Sequence, residues 1–279
     1  MEPGRASRTA LRVAQRRAVH QLLDKPCVLC DPLAVPLLGR SLSFAFDREQ
    51  NPMARAFRAY MAARSRLAED QLAFAVSRGV SQYVILGAGF DTYAYRNPHP
   101  HLRVFEVDFP ATQEDKRAFL AEAGIAVPAS LTYVPLDFEH RTLAEGLAGA
   151  GFHATMAAFF GWLGVVPYLT RDAFRATLET ISALPAGSGV SFDYGLSRES
   201  LRFFQRLAFD ALARRVAAAG EPFKLFFTPA ELEAELRRAG FQRIEQHNAD
   251  ALNAMYFSRR SDGLRLPSPG LGMLATAWV

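Results

Sequence analysis

The sequence predicts an α/β protein with a doubly wound, mostly parallel, seven-stranded sheet, a helical cap before it and a lid inserted near its end. Three observations lead there. After Gly79, short apolar runs alternate with segments of helical period, the pattern of a parallel sheet covered by helices. The first run ends in Gly87-Ala88-Gly89, and the second ends in Glu106-Val107-Asp108. A strand, a glycine turn and a second strand tipped with acid form the geometry that seats a nucleoside against backbone.

The elements follow in order. Residues 8–78 read as helix with breaks: Ala10, Val13, Ala14 and Arg17 keep helical spacing, and a second helix spans 52–76. Between them Pro32, Pro36 and Gly39 mark turns around a short helix. Strands are expected at 83–86, 104–107, 131–136, 156–160, 189–192, 241–244 and 271–277. Helices fit 112–123, 142–150, 171–183, 199–219 and 229–239, the last with Thr228 as N-cap before a proline at N1. Residues 196–227 exceed an ordinary crossover and supply the lid. No repeat or linker divides the chain, so 1–279 is expected to be one domain, with a cap over 1–80 and an α/β core over 81–279.

Bulk properties narrow the function. The chain has 279 residues, half of them hydrophobic, enough for a sizeable core. Its charge of +4 comes from 32 basic and 28 acidic residues spread along the chain, which gives no support to a nucleic-acid partner. No apolar stretch approaches the roughly 18 residues of a membrane span, and the arginine-rich start lacks an apolar signal region. A cytoplasmic protein without a membrane partner is the expectation. Cys27 and Cys30, the only cysteines, have CxxC spacing, but no local histidine pair completes a zinc set, so no metal is expected.

The chemistry concentrates at strand ends. Gly87 and Gly89 let backbone N–H groups approach a ligand, with Ala88 and Asp91 completing the turn. A dinucleotide fingerprint needs a third glycine at position 92, where Thr92 stands, which weakens a nicotinamide or flavin reading. Alternation puts Glu106 and Asp108 on one face as candidate cofactor contacts, with Asp108 at the tip able to accept from both ribose hydroxyls. Asp137 and Phe138 close the third strand with a carboxylate for an adenine amino group and an aromatic face for the ring.

The segments VILGAGFDTYAYR, VFEVDFP, PLDF and PYLT together resemble the leucine carboxyl methyltransferase family, including its bacterial small-molecule branch. The resemblance runs from TALRVAQRRAV near the start, through DPLA at residues 31–34, to SRRSDGLRL at 258–266. It implies a class I methyltransferase fold and S-adenosyl-L-methionine as cofactor. It also implies that Arg64 holds the cofactor carboxylate, Gly87 and Gly89 flank the methionine part, Asp108 takes the ribose, and Asp137 and Phe138 take adenine. One departure stands out. Many members place a glutamate five residues before the tyrosine of the PYLT-like motif, near the methionine ammonium, where this chain has Leu163.

The expected reaction is O-methylation of a carboxylate on an apolar small molecule. A carboxylate is ionised at neutral pH and needs orientation more than a base. Tyr194, at a strand end, and Arg260, a possible acceptor clamp beside Arg259, are the catalytic candidates; the six histidines show no selecting pattern. Phe203, Phe204, Phe209 and the PFKLFF segment make the lid apolar. Alternatives are a hydroxyl or phenol acceptor, a protein C-terminal carboxylate, an NAD(P)-dependent reductase, and, last, a non-catalytic cofactor-binding protein.

Overall fold

The computed structural model describes residues 8–42, 51–137, 141–218, 220 and 222–279. The chain opens with α1 (Arg8–Leu23), α2 (Ala34–Leu38) and the long α3 (Pro52–Ser77). Asn51 caps α3 by accepting from the Ala54 N–H, and Pro52 occupies the position where a missing N–H costs nothing. The buried stripe of α3 is rich in small residues, Ala59, Ala62 and Ala63 among them, which lets neighbouring elements approach closely.

Eight strands follow: β1 (Gln82–Leu86), β2 (Arg103–Asp108), β3 (Leu131–Pro135), β4 (Ala158–Trp162), β5 (Gly189–Leu196), β6 (Phe226–Phe227), β7 (Arg243–His247) and β8 (Gly272–Trp278). The order across the sheet is β3-β2-β1-β4-β5-β8-β7. The first five run parallel, and β8 lies antiparallel between β5 and β7. Both faces of the parallel strands are buried: Val84, Leu86 and Phe105 pack on one side, Tyr83, Ile85 and Val104 on the other. This double burial explains why these strands read as unbroken apolar runs. Strand order reverses between β1 and β4, so the carboxyl ends of these strands bound the crevice where such sheets hold ligands.

The seven expected strands are present, and the two-residue β6, inside the expected lid, adds an eighth beside β5. Three boundaries move, the strand expected at 189–192 running on to Leu196 and two others shifting downstream. The strand expected at 156–160 lies at Ala158–Trp162, and that expected at 241–244 lies at Arg243–His247. Phe241 is apolar because it plugs the core just after the left-handed Gly240 that ends the helix Pro229–Ala239, with no ladder role. The lid helix begins at Phe203 after a single turn at Arg198–Ser200, later than the expected 199.

One buried ion pair fastens the cap to the turn after β1, and others hold the cap together. Arg17 on α1 donates to Asp91 at 2.6 Å and to Asp31 at 2.8 Å, and Thr92 donates to the same Asp31 oxygen at 2.6 Å. Arg58 on α3 makes a fork to Asp24 at 2.9 and 3.0 Å, and His20 Nδ1 completes that carboxylate's shell at 2.9 Å. His20 Nε2 accepts the Val28 N–H, so the proton resides on Nδ1. Cys27 and Cys30 are both free thiols, and no metal-holding group of three acidic, histidine or cysteine side chains occurs among the described residues. Among the described residues, no helix is long and apolar enough to cross a membrane.

Burial alone would raise the Asp91 carboxyl, but the guanidiniums of Arg17 and Arg96 hold it at about 2. Asp24 is held at about 2 against the same burial penalty by His20 and Arg58. Both values lie below those of the unfolded chain, so their stabilisation is full above about pH 4 and disappears as pH falls towards 2. Asp91→Asn should therefore cost about 2 kcal/mol at neutral pH and flatten the acid limb of a urea-unfolding pH profile. Parallel profiles for the variant and the parent protein would contradict this role.

Candidate functional site

The turn after β1 adopts a conformation that only glycine tolerates easily. Gly87 and Gly89 have φ of 64° and 49°. The N–H groups of Gly87 and Ala88 both donate to the Val107 carbonyl, at 2.8 and 3.2 Å, which pins the turn to β2. Space is a second constraint: a Cβ at position 87 would lie 2.4 Å from Val165 Cγ2, and one at 89 would lie 3.1 Å from Ala10 Cβ. The glycine pair therefore lies between α1 and the loop after β4.

Asp108, at the tip of β2, closes this turn. Its carboxylate accepts the Gly89 N–H at 2.5 Å and the Phe109 N–H at 2.7 Å. Burial pushes its carboxyl above the usual range, and the two backbone donors oppose that shift. Two of the four acceptor positions of a carboxylate are filled this way, leaving capacity for further donors. Asp91 instead faces the cap, accepting from Arg17 and from the Tyr93 N–H at 2.7 Å.

Arg64 enters from α3 and is only 7% exposed. Its Nη1 donates to Asp193 Oδ2 at 2.9 Å, and Asp193 Oδ1 accepts the Gly164 N–H. Asp193 is 5% exposed. A Cβ on Gly164, whose φ is 71°, would fall 3.0 Å from Arg64 Nη1, so the β4 loop packs directly on the guanidinium. The buried Nε of Arg64 has no hydrogen-bond partner among the described residues. An unpaired buried donor costs about 1–3 kcal/mol and marks a place where an acceptor is missing.

The other expected residues fall in three groups. Glu106 is fully buried, paired with Lys116 at 2.7 Å, and burial raises its carboxyl to about 7 against the pull of that lysine. Asp137 follows β3 at the crevice and is half-buried, its carbonyl accepting from the Arg141 N–H at 3.0 Å. Phe138 lies outside the described residues.

Both catalytic candidates are committed elsewhere. Tyr194, expected to reach the acceptor, is buried on the sheet face opposite Asp193, and its hydroxyl donates to Gln246 at 2.5 Å and contacts the Met273 sulfur at 3.3 Å. Burial pushes its phenol well up, away from any role as a base. Arg260 is forked onto Asp262 at 2.9 and 2.6 Å within its own turn. Arg259 adopts a left-handed φ of 57° beside it. Asp193 was missed in the sequence, although a carboxylate inside the apolar run of β5 was a legible signal.

Once built, the site can be set beside known proteins. A family model described as Leucine carboxyl methyltransferase matches residues 10–182. A Bacillus subtilis relative, "Putative S-adenosyl-L-methionine-dependent methyltransferase YktD", is 32% identical across 95% of each chain. A Mycolicibacterium vanbaalenii protein of the same descriptive name is 31% identical over 92% of this chain and 90% of its own. Among solved structures, a "putative methyltransferase" from Thermobifida fusca superposes with a TM-score of 0.58 at 20% identity, covering 99% of this chain and 96% of its own. A DUF574 family protein from Streptomyces avermitilis gives 0.55 at 19% identity, over 94% of this chain and 96% of its own. At such identities these two show the fold.

The crowded turn predicts a specific mutational pattern. Gly87→Ala should destabilise the protein by about 2–4 kcal/mol, from a disfavoured φ together with the clash on Val165. Adding Val165→Ala should recover part of this loss by removing the clash. Denaturant unfolding of both variants checks the pair; an unaltered Gly87→Ala midpoint would contradict the geometry.

Proposed function

The chain belongs to the leucine carboxyl methyltransferase family and is an S-adenosyl-L-methionine-dependent methyltransferase; we propose that it methylates a carboxylate oxygen of an apolar small molecule. The residues at the strand ends fit the cofactor. Arg64 offers a buried N–H without an acceptor among the described residues, the two glycines keep side chains off the turn, and Asp108 retains acceptor capacity. The bound cofactor supplies a methyl carbon made electrophilic by its sulfonium.

The protein's own contribution is binding and orientation. The guanidinium of Arg64 takes the cofactor carboxylate, Asp108 the ribose hydroxyls, and Asp137 with Phe138 the adenine. Gly87, Ala88 and Gly89 line the methionine side, with Asp91 bracing the turn from behind. Placing an acceptor oxygen in line with the methyl carbon can supply several kcal/mol of the barrier reduction, roughly 7–11 in well-oriented systems.

The observation that favours a carboxylate acceptor is the absence of a placed base among the described residues. His20 is locked beneath the cap by Asp24, and the backbone of His153 is bound by Gln82 at the opposite end of β1. His247 lies on β7 at the sheet edge, His99 and His101 lie just before β2, at the end of the strand opposite the crevice, and His140 lies outside the described residues. A carboxylate needs none of them, since it is already ionised.

The lid supports an apolar acceptor. The N–H groups of Lys224 and Leu225 donate to the Pro167 carbonyl at 2.7 and 3.2 Å, which ties residues 222–227 to the β4 loop. Tyr168 and Phe223 pack with ring centroids 5.3 Å apart. At the start of the lid helix, Phe203–Ala217, Phe203 and Phe204 are 69% and 81% exposed. Cap, core and lid thus act as one domain around one crevice.

Cell extract incubated with the enzyme and isotopically labelled methyl donor should yield a labelled small molecule that loses its label in mild base, as esters do. A base-stable ether would overturn the carboxylate assignment. Asp108→Ala should weaken S-adenosyl-L-homocysteine by about 1.5–3 kcal/mol in calorimetry; unchanged affinity would remove Asp108 from the ribose.

A further inference from the structure

We infer that Asp193 receives the α-ammonium group of the cofactor, so that the Arg64–Asp193 pair reads the amino-acid end as a matched zwitterion. The inference rests on the cofactor reading above and adds a residue to it. The family resemblance implies a glutamate at position 163 for the ammonium; this chain has Leu163 there, so that ammonium needs another partner. A cation brought into a buried crevice without an anion is costly, and the protein must supply one from elsewhere.

The described carboxylates around the turn narrow the choice. Asp91 is held by Arg17 and the Tyr93 N–H; Glu106, fully buried, already answers a cation, Lys116, through Oε2, although its Oε1 has no hydrogen-bond partner among the described residues. Asp108 binds the backbone of its own turn at Gly89 and Phe109. Asp193 lies 2.9 Å from the guanidinium that takes the cofactor carboxylate, and it touches Gly164, the residue immediately after Leu163. The loop after β4, residues 163–170, carries no carboxylate of its own and is in contact with one delivered from β5.

Charge and donor counting agree. Arg64 and Asp193 are both more than nine-tenths buried and together neutral. The amino-acid end is likewise neutral, with one carboxylate and one ammonium on the same carbon. Arg64 has a buried Nε–H unspent among the described residues. Asp193 accepts one hydrogen bond on each oxygen, from Arg64 and from Gly164, leaving two of four acceptor positions for ammonium donors. Binding a zwitterion to such a pair adds no net charge to the crevice, whereas a lone Arg64 would leave the ammonium uncompensated.

Calorimetry with three ligands on the full chain tests this. The ligands are S-adenosyl-L-homocysteine, its analogue with hydrogen in place of the α-amino group, and methylthioadenosine, which lacks the amino-acid end. In the parent protein, loss of the amine should weaken binding about 10- to 100-fold. Asp193→Asn should weaken S-adenosyl-L-homocysteine by a similar factor and leave the deaminated analogue and methylthioadenosine within about twofold. Equal affinities of the parent for the amine-bearing and deaminated ligands would overturn the assignment, even if the variant fails to fold. So would an equal loss for all three ligands in Asp193→Asn, which is the signature of a purely structural brace. Failure of the parent to bind any of the three would instead refute the cofactor reading itself.

Discussion

A buried cation on a helix must be answered by an anion on the element it meets, and that requirement joins the two halves of this protein. Arg64 crosses from α3 to Asp193 on β5, and Arg17 crosses from α1 to Asp91 in the turn after β1. Desolvating these guanidiniums costs several kcal/mol each unless good geometry and further hydrogen bonds offset it. The pairing therefore fixes where the cap rests. Asp91 lies in the turn after β1 and Asp193 one residue past the last β4–β5 pair, so fixing the cap also fixes it over the crevice between β1 and β4.

The same constraint separates two tasks that the sequence presents together. Carboxylates cluster towards the carboxyl ends of β1, β2 and β3 and in the second half of β5, yet their surroundings differ. Glu106 is sunk beside Lys116 and serves packing, as its fully buried side chain and elevated carboxyl show. Asp108 stiffens the glycine turn through Gly89 while keeping acceptor positions open. Strand alternation sends Asp193 towards Arg64 and Tyr194 towards Gln246, so adjacent residues of β5 serve opposite faces.

Much of the fold was legible because both faces of the parallel strands are buried, which writes each strand as an apolar run bounded by turn residues. The long helix Pro52–Ser77 was equally plain from its period and its proline start. What stayed hidden depended on register and direction. The two-residue β6 is too short to show a period, and Phe241 mimicked a strand residue while plugging the core. The closeness of the glycine turn to Asp108 could be read from local spacing. Asp193 could not be paired with Arg64 from sequence, since 129 residues separate them and only the packing of α3 on β5 brings them together. Tyr194 and Arg260 looked available for chemistry until their partners, Gln246 and Asp262, were in view.

The central claim is that the cap helix α3 and strand β5 together hold the amino-acid end of the methyl donor. A crystal structure with S-adenosyl-L-homocysteine bound tests it most directly. The ligand carboxylate should lie within hydrogen-bond distance of Arg64 Nε, its ammonium on Asp193, and its ribose on Asp108. A ligand bound with its amino-acid end turned away from α3, leaving the Arg64–Asp193 pair untouched, would contradict it.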